Sequence, residues 1–278
     1  MNIDRSQVRI NIALLIMTFI VTVKSYSQKT VREYFDDGIT YAGNEDYQNA
    51  ASSFKYIVDN HPKDSLYPLA LYNVAYVYAA GEDYMNAIPS YERILASDLK
   101  EDDLIGGDIM ASPYANYKYK ASRDLCRIYI AKEDYEKALE YLILSDEKYP
   151  YIHFCANKGC SNETELALNY ALLYEKTGHK DKAREKLLSY ALNGTERILD
   201  ELKIYLSEEK DVKAKFDRSL KAIESEKKDD YTNYFITFLG AKMYVGWGDD
   251  TSGVFDKKQA IKDIKRSDFY KMLEALKN

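Results

Sequence analysis

Cys155 and Cys160 stand five residues apart, with Asn157 and Gly159 between them. Asparagine and glycine favour a tight turn, so the two thiols could meet in a local disulfide. His153 lies two residues upstream and raises a second option, a zinc site on His153, Cys155 and Cys160. A structural zinc needs four ligands, and no further Cys or His is close in sequence. The disulfide is the simpler expectation, with free thiols as the remaining outcome. Because the loop it closes is short, it would pin a connector and add little to global stability. The other histidines, His61 and His179, fall beside a helix-ending proline and in a turn. Neither is placed by sequence near a partner nucleophile. Asp249, Asp250, Thr251 and Ser252 form one polar cluster where an enzyme reading would put its groups. The acidic pairs Glu45-Asp46, Glu82-Asp83 and Glu133-Asp134 recur at starts of predicted helices, which fits capping better than acid–base catalysis. No GxSxG, phosphate loop, HExxH or dinucleotide glycine pattern occurs. No cofactor and no metal is expected.

These residues must be held by elements, and the composition says which kind. Of 278 residues, 46% are hydrophobic and 30% charged, with only 5 prolines and 12 glycines. That excludes a disordered or collagen-like chain. The net charge of -6 and the mixture of Lys and Asp along 256–268 leave no basic patch, so nucleic acid is not an expected partner. Tyrosine is the excess residue: 27, against 9 phenylalanines and 1 tryptophan.

Residues 10–23, INIALLIMTFIVTV, carry no charge and follow Arg5 and Arg9. Fourteen residues are short for a membrane span and suit a signal-peptide core. Ser25 and Ser27 are small residues at -3 and -1 for cleavage before Gln28. The segment 1–27 is therefore expected to be a secretory signal, with a buried N-terminal helix or an uncleaved anchor as the other readings. Its loss would leave 36 bases against 44 acids, a charge of -8, and no stable membrane span. An exported chain reaches an oxidising compartment, where cysteines pair.

Four segments repeat one pattern. Aligned on Ala50, Ala87, Ala138 and Ala183, they place Gly38, Ala75, Cys126 and Ala171 twelve residues upstream. Tyr41, Tyr78, Tyr129 and Tyr174 stand nine upstream. Phe54, Tyr91, Leu142 and Leu187 stand four downstream. The turns read GNEDY, GEDY, KEDY and TGHK, and Pro62 and Pro150 close two units. Small residues let two antiparallel helices approach closely. The tyrosines are expected to fill the wedge beside that contact, the aspartates to cap the second helices and the prolines to stop them. Cys126 occupies a small-residue slot and reads as a buried hydrophobe.

On these positions the sequence resembles the tetratricopeptide repeat family. It departs at the consensus tryptophan, which is Tyr34, Leu71, Ser122 and Ala167 here, and in the alanine spacings of 37, 51 and 45 residues. The resemblance implies an all-α superhelix with a concave groove for peptides or partner proteins. The first helices would line it, with Asn73, Tyr76, Tyr119, Arg123 and Asn169 as candidate contacts. Its layout is also similar to that of exported repeat proteins of bacterial envelopes.

The expected organisation is a signal at 1–27, a repeat domain at 28–226 and a C-terminal module at 227–278. Repeats fall near 31–62, 68–97, 119–150 and 164–192, with a degenerate helical pair at 194–226. Residues 98–117 read as a connector with a few apolar anchors, or as a flap over the groove. Asn162 and Asn193 stand in glycosylation acceptor patterns, discounted for a bacterial-looking chain. Residues 231–247, with Gly240 between two near-alternating runs, predict a short hairpin, with a helix as the competitor. Lys257 to Lys277 predicts one closing amphipathic helix. Trp247 and its tyrosine neighbours are expected to cover the last helix of the array, or else to form a docking surface. The chain is thus expected to be a non-enzymatic protein- or peptide-binding scaffold, periplasmic or otherwise exported. The alternatives are a glycan-binding envelope protein and an enzyme with its site in the C-terminal module.

Overall fold

The computed structural model describes residues 29–105, 114–152, 159–249 and 255–276. The expected signal, 1–27, lies outside the described residues. The chain divides into two compact units between Arg93 and Ile94.

The first unit holds α1 (Val31–Gly43), α2 (Tyr47–Asn60), α3 (Tyr67–Ala80) and most of α4 (Tyr84–Ala96). Thr30 and Glu33 start α1 as a reciprocal cap. The Thr30 hydroxyl accepts from the Glu33 amide at 3.2 Å, and the Glu33 carboxylate accepts from the Thr30 amide at 2.7 Å. Ala50, Phe54, Ile57 and Val58 put one buried stripe on α2. Phe54 packs where Gly38 of α1 has no side chain. The helix stops at Asn60, with His61 as its C-cap and Pro62 next.

The second unit begins with α5 (Tyr117–Ala131) and α6 (Tyr135–Ile143), which runs on into a π-helical turn, Leu144–Lys148. Then come α7 (Gly159–Lys176), α8 (Lys180–Tyr190), α9 (Glu196–Ser207) and α10 (Val212–Ser219). The chain continues through β1 (Glu224–Lys228), β2 (Tyr231–Phe238) and β3 (Ala241–Asp249) to α11 (Lys257–Ile264) and α12 (Asp268–Ala275). The fold is mostly helical, with a small antiparallel sheet and helices at the C-terminal end.

Four interhelical turns are built alike, and this is the structural form of the repeat. The Asp46 amide donates to the Tyr41 carbonyl at 2.9 Å, Asp83 to Tyr78 at 2.8 Å, Asp134 to Tyr129 at 2.9 Å and His179 to Tyr174 at 2.7 Å. The preceding residue sits in the left-handed region each time: Glu45, Glu82, Glu133 and Gly178, with φ of 60°, 56°, 59° and 81°. Its amide closes a second bond to the residue after the tyrosine, which makes each turn a Schellman motif. Asp46, Asp83 and Asp134 then accept from the amides of Asn49, Asn86 and Lys137, each at 3.3 Å. His179 makes no side-chain cap. The aligned small slots and alanines are all buried. The tyrosine rings are not uniformly so: Tyr129 is 6% exposed and Tyr41 is 36%. The slot is fixed by its carbonyl's place in the turn, and the ring follows its local neighbours.

The long connector before α5 is tied at both ends of its described part. The Ala115 amide donates to the Asp103 carbonyl at 2.9 Å, and Asn116 to Glu101 at 3.0 Å. The Glu101 carboxylate accepts from the amides of Lys118 and Tyr119, at 2.7 and 2.9 Å, and so caps α5 from outside. Asn116 is fully buried and exchanges two hydrogen bonds with the Ile152 backbone. Residues 106–113 lie outside the described residues.

The C-terminal module differs from expectation in two ways. The predicted hairpin is present as β2 and β3, but it belongs to a three-stranded sheet, in order β1-β2-β3. Its extra strand, ESEKK, has every residue exposed and no apolar residue to announce it. The charges suit an edge strand. The expected closing helix is two helices: the first ends at Ile264, and the Ser267 hydroxyl caps the second by accepting from the Tyr270 amide at 3.2 Å. Phe216 joins the layers, with edge-on contacts to Phe238 at 5.0 Å and Phe269 at 5.2 Å.

Candidate binding sites

One face of α7 and one face of α9 enclose an open groove of about 500 Å³. On α7, Glu165, Leu168, Asn169, Leu172 and Glu175 recur at three- and four-residue steps and therefore share a face. On α9, Arg197, Asp200, Glu201 and Tyr205 do the same. Glu165 and Arg197 pair across the groove at 2.6 Å, and the Tyr205 hydroxyl donates to Glu175 at 3.2 Å. Burial and then Glu175 push the Tyr205 phenol up to about 12, so it stays a donor. Leu172 is 40% exposed on the floor. Among the described residues, four carboxylates against one guanidinium make the groove acidic around an apolar centre.

Of the residues expected to line a groove, Asn169 does so here. Tyr119 and Arg123 lie on α5 and are not among this groove's lining residues. Tyr119 packs its ring against Tyr151 at 5.0 Å, and burial pushes its phenol up against the opposing pull of Arg123 and Arg127. Arg123 is half-buried, and its Nη1 has no hydrogen-bond partner among the described residues. Asn73 and Tyr76 lie on α3 in the first unit, with Tyr76 exposed. Sequence reasoning missed Glu165, Leu172, Arg197 and Tyr205. The missed signal was the matching face of α9, hidden because that pair of helices lacks the repeat's turn residues.

A second cleft, of about 510 Å³, lies between β3 and α11. Tyr244 and Trp247 line it from β3, Gln259 and Asp263 from α11, and Asn193 from the turn after α8. Trp247 is 58% exposed. It therefore does not cover the array as expected; Ile236, Phe238 and Met243, on the sheet's other face, are buried in the core.

Several other polar groups have structural partners. Tyr170 donates to Asp146 at 2.9 Å, and Lys186 stands 3.2 Å from the same carboxylate and 4.0 Å from the Tyr170 ring centre. His61 caps α2, and His179 begins α8 with its Nδ1 3.2 Å from the Thr177 hydroxyl. Cys126 is 2% exposed, and burial pushes its thiol up to about 11. His153 and Cys155 lie outside the described residues. So do Asp250, Thr251 and Ser252, and of Cys160 and Asp249 only the backbone is described. Among the described residues, no helix is long and apolar enough to cross a membrane.

No family model matches the chain, and no curated protein matches it. Among solved structures it is similar to a tetratricopeptide repeat protein from Parabacteroides merdae ATCC 43184, at 15% identity with a TM-score of 0.43. The match covers 64% of this chain, and the chain spans 59% of that protein's length.

Proposed function

We propose that this protein is an exported helical-repeat scaffold that holds a protein or peptide partner non-covalently in the cell envelope, with no enzymatic activity of its own. The observation that carries the reading is the groove between α7 and α9, open, acidic at its rim and apolar at Leu172. Such a surface suits a partner segment that brings Lys or Arg around an apolar side chain. The aromatic anchor, Tyr205, adds rigid area and a hydroxyl. Export is supported by the charge-free run at 10–23 and the small residues before Gln28.

Affinity capture from the source cell's envelope fraction, with Glu175→Lys/Glu201→Lys as the comparison, tests this. A partner held by the wild type and lost by the double variant is the expected result. Equal capture by both would remove the groove from the account.

A further inference from the structure

The cleft between β3 and α11 has a chemistry unlike that of the α7/α9 groove. A one-residue bulge creates it. Phe235 pairs with Tyr244, but Tyr234 pairs with Gly246, which leaves Val245 as the extra residue. Without that residue Tyr244 and Trp247, three apart, would face opposite sides of the sheet. With it they lie opposite Phe235 and Asn233, on one side, and both line the cleft. Gly246 makes the bulge possible, at a φ of 155° and with the Phe255 ring 2.9 Å from where a Cβ would stand. Phe255 in turn stacks on Tyr234, ring centres 3.9 Å apart, and brings the start of α11 against the strand. The wall is built on packed elements.

The cleft's polar lining residues are Asn193, Gln259, Asp256, Asp263 and Ser267. Two of these are amides, which both donate and accept, and two are carboxylates, which accept. Among the described residues no lysine or arginine lines the cleft, which does not suit an anion. The carboxylates are already engaged. Asp256 accepts the amides of Lys258 and Gln259 at 2.9 and 3.0 Å, and Asp263 accepts from the Gln259 side chain at 2.8 Å. That mutes their pull on a bare cation. An exposed aromatic face with neutral and acceptor groups at its edge suits a ligand that is apolar on one face and ringed with hydroxyls. The volume falls within the roughly 300–1,000 Å³ of small-molecule sites. A second cavity of about 320 Å³ shares Leu192, Asn193 and Tyr244 with the first, so the surface continues past one sugar ring.

We propose that this cleft binds a neutral oligosaccharide, with Trp247 and Tyr244 as the stacking platform and Asn193, Gln259 and Asp263 as the hydroxyl partners. Trp247 is the chain's one tryptophan, so intrinsic tryptophan emission reads this cleft alone. The full chain is titrated with cello-, xylo-, malto- and chito-oligosaccharides, and separately with tetramethylammonium and a strand-forming peptide. A saturable emission shift with at least one oligosaccharide is expected. By calorimetry, Trp247→Ala should weaken that binding about tenfold or more, and Gln259→Ala should weaken it measurably. Both positions are on the surface of the cleft, and Glu175→Lys/Glu201→Lys should leave the titration unchanged. Emission unmoved by every oligosaccharide, a shift with the cation or the peptide alone, or full binding by Trp247→Ala overturns the proposal.

Discussion

Phe54 occupies the space that a side chain on Gly38 would need. A Cβ built on Gly38 would stand 2.6 Å from the ring, and Phe54 is fully buried. The small slot of the first repeat unit is thus a contact between a missing side chain and a large one.

Gly38→Ala should therefore destabilise the protein by about 1–3 kcal/mol, because overpacking outweighs the better helix propensity of alanine, about 1 kcal/mol. Urea unfolding of the variant checks it. A midpoint at or above the wild type would mean that Phe54 moves freely.

The three left-handed glutamates set up an opposite case. Glu45, Glu82 and Glu133 hold a φ near that of Gly178 at the same place in the fourth turn. Glycine carries no Cβ penalty there, so each Glu→Gly change should raise stability by about 0.5–1 kcal/mol. Asp46→Ala, Asp83→Ala and Asp134→Ala should each lower it by about 1 kcal/mol through loss of the cap. Thermal melts of the six single variants should separate into two groups by sign.

These turns were readable in the sequence because their residues act locally. An acidic pair before a tyrosine, repeated at one offset from an alanine, specifies cap, bend and helix start together. The tyrosine wedge was less readable, since the burial of Tyr41 or Tyr129 depends on neighbours that the pattern does not name. Glu101 and Asn116 were invisible for the same reason: each pins a segment through partners that the sequence pattern does not flag. β1 escaped because ESEKK has no apolar alternation, and the α11–α12 break escaped although Ser267 carries an ordinary capping signal. Of the sites, Asn169 was legible from repeat position. That Tyr244 and Trp247 share one side of the sheet was not, because a bulge shifts the period by one.

Acid should weaken the last layer of the fold. Burial pushes the Asp217 carboxyl up, but hydrogen bonds from Lys213 and Tyr270, each at 2.9 Å, outweigh it and leave the group below 3.8. The Lys215 hydrogen bond, against the opposing effect of burial and with the charges of Lys215 and Arg184, likewise holds Glu209 below 4.5. Groups lowered in the folded state contribute stability that is present above their unfolded values and lost as pH falls through the folded ones. Urea midpoints should therefore drop below pH 4.5, and the gap between wild type and Asp217→Asn should narrow below 3.8. A gap that stays constant with pH would contradict the linkage.

The cysteines should separate by reactivity. Cys126, buried with its thiol near 11, should resist alkylation until the protein unfolds. If Cys155 and Cys160 are paired, as their spacing predicts, mass measurement after alkylation without reductant will show neither labelled, and reductant will add two labels. Labelling of both without reductant would exclude the disulfide.

The α7/α9 groove is the centre of the functional account, and site-specific photo-crosslinking reads it directly. A photoreactive residue replaces Leu172 on the groove floor, and a control replaces Met85, 89% exposed in the first unit. Irradiation in the source cell's envelope should give discrete protein adducts from position 172, reduced by Glu175→Lys/Glu201→Lys and absent from position 85. The same adducts from both positions, or none from 172, would contradict a partner-binding groove.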